Sequence, residues 1–146
     1  MAYWLLKTEP GTYSFSDLIR EKKTTWNGVR NSLALQHLRA MKKGDEVFIY
    51  HSGKEKAIVG IAGIVSNPYA DAGAGDPKLV VVDLKPKEQL PRPVTLAEIK
   101  SHDAFEKFDL IRISRLSVMP VSTERWNVVR KLSVLPSTIR SKSRLR

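Results

Sequence analysis

The segment Ala57-Ile58-Val59-Gly60-Ile61-Ala62-Gly63-Ile64-Val65-Ser66 constrains this 146-residue chain more than any other. It carries no charge, so a strand built from it has no wet face. It must cross the centre of a sheet that is covered on both sides. Gly60 and Gly63 predict bends or bulges, the places where a sheet curls toward a barrel.

The flanking sequence supplies strands and short helices. Tyr3–Leu6 is an aromatic, apolar run that predicts a strand, broken by Pro10-Gly11. Ser14 with Asp17 three residues later predicts a capped helix through about Lys22. Asn31 caps a second helix over Ser32–Met41, with Leu35, Leu38 and Met41 inward and Lys42-Lys43-Gly44-Asp45 as its stop. Glu46–His51 predicts a strand and Ser52–Lys56 a polar turn. The stretch 67–77 predicts a mobile loop, and Leu79–Leu84 a strand. Thr95 with Glu98 predicts a capping box for a helix through about Ser101. Leu110–Val118 predicts a strand around Arg115-Leu116-Ser117. Thr123–Leu132 predicts a final helix with Trp126, Val129 and Leu132 on one face. Strands separated by short helices, with few crossovers of βαβ length, predict an α+β fold: one mixed barrel in a single domain over residues 1–132.

Composition narrows the function. Apolar residues at 42% and charged residues at 27% suit a folded soluble chain. No apolar run reaches the roughly 20 residues of a membrane span. Met1–Lys7 shows no basic leader before an apolar stretch, so no signal peptide is expected and a cytoplasmic address is, or a nuclear one in a eukaryote. The chain has no cysteine, which excludes disulfides, cysteine-ligated metals and thiol catalysis. The net charge is +10, and seven of the 25 basic residues but none of the 15 acidic ones lie from Arg125 onward. Residues 133–146 therefore read as a basic C-terminal tail. Its Arg140, Lys142, Arg144 and Arg146 are candidate phosphate contacts, unless the tail is simply a solubilising end.

Phosphate-loop, dinucleotide, zinc-protease and nucleophile-elbow motifs are all missing. His37, His51 and His102 share no metal-ligand spacing, and His51 is read without a carboxylate partner. No catalytic residue, metal or cofactor is assigned, and His37 and His102 are read as solvated helix residues. Three clusters remain: Lys7-Thr8-Glu9-Pro10, Thr25-Trp26-Asn27-Gly28-Val29-Arg30-Asn31, and Tyr50-His51-Ser52. Asn31 is explained as a helix cap and Gly28 as a positive-φ residue. Trp26, read in a loop, has a weaker structural reason. An aromatic there, strand-end donors and nearby cations together suit a pocket for one unpaired base: rings stack on its face, donors read its edge and cations meet its phosphate.

These blocks resemble the EVE domain, in the PUA-like group. The matching segments are Tyr3-Trp4-Leu5-Leu6-Lys7-Thr8-Glu9-Pro10, Trp26-Asn27-Gly28-Val29-Arg30-Asn31, Met41-Lys42-Lys43-Gly44-Asp45, Tyr50-His51-Ser52, Ile58-Val59-Gly60-Ile61 and Arg115-Leu116-Ser117-Val118, in order across nearly the whole chain. The chain departs from the family at Leu33-Ala34-Leu35-Gln36-His37, where Ala-Arg-Asn is frequent, and in a less proline-rich loop at 69–75. The resemblance implies a PUA-like β-barrel flanked by short helices, with a pocket related to those of YTH and ASCH domains that suits a modified base flipped out of DNA or RNA. It implies Trp26 as a cage wall and Lys7 at the rim. It places Val29, Arg30 and Asn31 on the floor, Tyr50, His51 and Ser52 on the opposite side, and Arg115, Leu116 and Ser117 nearby. Trp4 is assigned to the core. The expected function is non-catalytic nucleic-acid binding through that pocket. The alternatives are a hydrolase of modified nucleosides or RNA, with Lys7 or His51 as acid or base, and a general RNA-binding factor.

Overall fold

A computed structural model describes residues 1–135. Seven strands form one strongly curled sheet: β1 (Tyr3–Thr8), β2 (Thr24–Trp26), β3 (Glu46–His51), β4 (Ala57–Ile64), β5 (Tyr69–Ala70), β6 (Val80–Thr95) and β7 (Val118–Val121). The order is β2-β6-β4-β3-β1-β7, with β5 also paired to β6. β1 and β3 run parallel and every other pair is antiparallel, so the sheet is mixed. Among the described residues five α-helices decorate it, α1 (Phe15–Glu21), α2 (Ser32–Ala40), α3 (Leu96–Lys100), α4 (Asp109–Arg112) and α5 (Thr123–Val134), with a 3₁₀ turn at Asp103–Phe105.

β4 lies between β3 and β6 and is buried along almost its whole length, as its apolar sequence requires. The ladder on either side of it slips near Gly60: between Ile49 and Tyr50 on β3, and between Ile58 and Gly60 toward β6. A Cβ at Gly60 would run into the ring of Phe15, the first residue of α1. Glycine is therefore needed there for close approach of a helix, as well as for the bend.

Local capping chemistry places the helices where the sequence predicts. Ser14 and Asp17 form a reciprocal capping box, as do Thr95 and Glu98, while Asn31 accepts from the Ala34 N–H at 3.0 Å. On α5, Trp126 stacks on Phe48 with centroids 3.7 Å apart and on Tyr3 at 4.4 Å, pinning that helix across the sheet.

Four expectations need correction. The strand predicted over Leu79–Leu84 continues as β6 to Thr95. Its prolines do not end it because they sit where the ladder is irregular: Pro86 is at a register shift, and Pro91 and Pro93 lie where pairing jumps from Gly60–Gln89 to Ile58–Val94. The 67–77 loop contains β5, paired to β6. The strand predicted over Leu110–Val118 is instead α4 and a turn, and β7 begins only at Val118. In that turn the Ile113 N–H bonds to Asp109 and the Leu116 N–H to Ile113, so the backbone closes on itself rather than on a ladder. Finally, His37 is not the solvated helix residue expected: it is half-buried, its ring 6.2 Å from that of Trp4 and its Nε2 enclosed without a hydrogen-bond partner among the described residues.

Candidate functional site

The C-terminal end of β1, the turn before α1, β2 and the loop after it enclose a cleft of about 620 Å³. β2 is the sheet edge beyond β6, pairing Thr24–Trp26 with Leu84–Val82. Trp26 is thus the last residue of an edge strand rather than part of a loop, and its side chain packs against the core. Gly28, at φ +78°, turns the chain back toward α2. Tyr13 stands almost perpendicular to Trp26, with an 84° interplanar angle and centroids 6.1 Å apart. Trp26 is only half-buried, and among the described residues its indole N–H meets no acceptor.

Lys7 provides the cation. It is half-buried, its Nζ donates to the Ser114 carbonyl at 2.8 Å and lies 5.8 Å from the centre of the Tyr50 ring. Burial lowers its pKa and, for the same reason, raises that of Tyr50. An ammonium has three donors, and Ser114 takes one. Two carboxylates share the wall: Glu9, which accepts from the Gly11 N–H at 3.0 Å, and Glu21, which accepts from the Tyr13 hydroxyl at 2.7 Å. The cleft thus presents aromatic faces, a cationic donor and anionic acceptors together.

Of the pocket residues that the resemblance implies, Lys7, Trp26, Val29, Arg30 and Ser117 line this cleft, as do Thr8, Glu9, Thr25, Asn27 and Gly28 of the same clusters. The others are placed elsewhere or already engaged. Asn31 spends its side-chain oxygen on the α2 cap. Tyr50 is buried beneath Lys7. His51 is 7% exposed, and its Nε2 accepts from the Phe15 N–H at 3.0 Å while Nδ1 lies 2.8 Å from Glu55. Accepting a backbone N–H requires a lone pair on Nε2, so the proton sits on Nδ1 and points to Glu55. The expectation that His51 lacks a carboxylate is therefore wrong: Glu55, across the β3–β4 turn, is its partner. With both nitrogens engaged, His51 ties α1 to the sheet. Ser52 bonds back to the Thr8 carbonyl through its amide at 2.9 Å. Leu116 is core, 1% exposed, and Arg115 is exposed on the turn after α4. Arg140, Lys142, Arg144 and Arg146 lie outside the described residues.

Tyr13 and Glu21 are wall residues that sequence reading missed. The signal for Tyr13 was its place directly before the Ser14 cap, where the chain enters a helix from the end of β1; Glu21 has no such signal, since it reads as a solvated helix face. Among the described residues no group of His, Asp and Glu is arranged to hold a metal ion, and no helix is long and apolar enough to cross a membrane.

Comparison with known proteins places these features in a family. The EVE domain profile matches residues 2–132. Mouse thymocyte nuclear protein 1 is 34% identical over 164 residues, an alignment covering 89% of this chain and 73% of that protein. An NMR structure of a Rhodopseudomonas palustris protein is 41% identical with a TM-score of 0.86, covering 91% of this chain and 93% of its own. The crystal structure of human THYN1 protein in complex with 5-methylcytosine-containing DNA is 32% identical with a TM-score of 0.86, covering 93% and 99%. The curled mixed sheet with its short helices is the PUA-like architecture of those structures, and this chain belongs to the EVE domain family.

Proposed function

We propose that the cleft holds a single modified base turned out of a DNA strand, without catalysing a reaction on it. The observation that carries this reading is the half-exposed Trp26 set at a right angle to Tyr13 beside the half-buried Lys7. In this reading the base stacks on one ring and meets the edge of the other. Lys7 donates to a ring carbonyl, and Glu9 or Glu21 takes an exocyclic amine, a combination that suits an amino-oxo base such as cytosine. Val29, Arg30 and Ser117 complete the wall, and Arg115 lies close by in sequence. The human relative in complex with 5-methylcytosine-containing DNA supports the same ligand class.

Flipping a base costs a few kcal/mol. Stacking returns about 1–3 kcal/mol per aromatic platform. A methyl group in contact with the wall adds only about 0.8 kcal/mol, so contact alone gives a preference of a few fold for the modified base.

The test is the affinity of wild-type protein and Trp26→Ala for matched oligonucleotides carrying cytosine or 5-methylcytosine, with thermal melts alongside. Trp26→Ala is expected to weaken binding by about 1–3 kcal/mol while the fold survives. Equal affinity for wild type and variant overturns the reading. Tight binding of unmodified RNA, indifferent to modification, returns the function to the general RNA-binding alternative.

A further inference from the structure

Arg30 faces two depressions. One is the cleft described above; the other, of about 200 Å³, lies between α2 and the segment leading into β6. The floor of this second trough is apolar, formed by Leu35 and Leu79, which are 4% and 7% exposed. Its rim carries Arg30, Arg39 and Lys78 against one carboxylate, Asp76. Asp76 is partly occupied in its own turn, accepting from the Lys78 N–H at 2.9 Å. Arg39 donates through Nη2 to the Lys78 carbonyl at 2.5 Å, which ties α2 to the loop that carries Lys78. Ser32 and Gln36 add neutral donors on the same helix.

We propose that this trough is a phosphate subsite, holding the DNA backbone next to the nucleotide whose base enters the cleft. The inference rests on the base-binding reading. Three cations against one carboxylate around this depression fit a phosphodiester, which arginine contacts through paired N–H donors. Because Arg30 belongs to both walls, backbone and base are held by contiguous protein surface: the trough positions the strand and the cleft selects the base.

The experiment uses the full chain and a short 5-methylcytosine oligonucleotide, its unmodified counterpart, and a version with a neutral methylphosphonate flanking the modified base. Binding is measured at several salt concentrations for wild type and for the double variant Arg39→Gln, Lys78→Gln. The variant is expected to bind modified and unmodified DNA more weakly by the same factor. Its plot of log affinity against log salt should be shallower by about 0.7–0.9 for each phosphate no longer neutralised. The methylphosphonate should weaken wild-type binding and leave the variant almost unaffected, a non-additivity that general loss of folding does not produce. An unchanged salt slope, or equal methylphosphonate penalties in both proteins, overturns the subsite. Failure of the base-binding reading looks different: wild type then shows no preference for the modified base, while slope and methylphosphonate effects persist. No DNA binding by wild type overturns both.

Discussion

Trp4 and Trp26 carry the same side chain in opposite circumstances. Trp4, on β1, is 6% exposed, and its indole N–H donates to Asp45 at 3.0 Å. The same carboxylate accepts from the Ala2 and Lys42 backbone N–H groups, both at 3.0 Å, so one buried anion ends the β1–β3 pair with three donors satisfied. At the other end of that pair the chain reaches Lys7, Glu9 and Trp26, whose donors, acceptors and ring faces are only partly used. A structural polar cluster closes its hydrogen bonds internally, whereas a ligand site leaves them incomplete and accessible. That difference, and not residue type, is why Trp26 rather than Trp4 enters the proposed site.

The largest effect is expected from breaking the closed end. Asp45→Ala strands buried donors and should lower the unfolding free energy by about 2–4 kcal/mol, read by urea denaturation, with DNA binding per folded molecule unchanged. Burial pushes the Asp45 carboxyl up, but the N–H groups of Ala2, Trp4 and Lys42 outweigh it and hold the pKa below the usual carboxylate value. A lowered folded-state pKa means that this stabilisation is complete above the unfolded value of about 4 and drains away as pH falls toward the lowered one. Acid titration of wild type should show that loss, and Asp45→Ala should lack it.

The bend at Gly60 on β4, where α1 docks, comes next. Gly60→Ala forces a methyl group against Phe15 and is expected to cost about 1–3 kcal/mol of stability. Since α1 follows directly from Tyr13, the variant should also weaken DNA binding beyond what Asp45→Ala does per folded molecule; undiminished binding would show that the cleft wall is independent of that packing.

The smallest effect concerns the open end. Lys7→Met should weaken binding by about 1 kcal/mol with little change in melting temperature. In the proposed function Lys7 acts as an ammonium, and burial lowers its pKa, so wild-type affinity should decline on alkalisation before an ordinary lysine would deprotonate. The Lys7→Met variant should be flat over that range, and parallel pH profiles for the two proteins would remove Lys7 from the interface.

The features legible in the sequence are the ones decided over three or four residues. Ser14, Asn31 and Thr95 declare helix starts because a cap bonds to an amide three positions on. The charge-free run of β4 declares the sheet centre, and Trp26 stands out as a large aromatic beside Asn27-Gly28. Features that need a distant partner are hidden. Pro86, Pro91 and Pro93 look like strand breakers until the bulged ladder with β4 is known. Leu110, Ile111 and Ile113 have apolar spacing compatible with strand or helix, and a four-residue helix is too short for periodicity to arbitrate. Tyr50 and His51 sit beside a promising strand end, yet their side chains are buried, under Lys7 and against α1, rather than along the cleft. Tyr13 enters the wall only because α1 docks on Gly60.

The parallel pairing of β1 with β3 obliges the chain to leave β1 after Thr8 and come back beside it only at Glu46, touching the sheet on the way as the edge strand β2. Tyr13, Trp26, Val29 and Arg30 all belong to that single excursion, anchored at Phe15 and along Thr24–Trp26. Much of the cleft wall is thereby a replaceable cassette, while Lys7 and Ser117 belong to the permanent chassis. Recasting the residues between those anchors alters the shape and charge of the cleft while the ladders joining β1, β3 and β4 stay as they are, so one stretch of chain can be edited without rebuilding the scaffold.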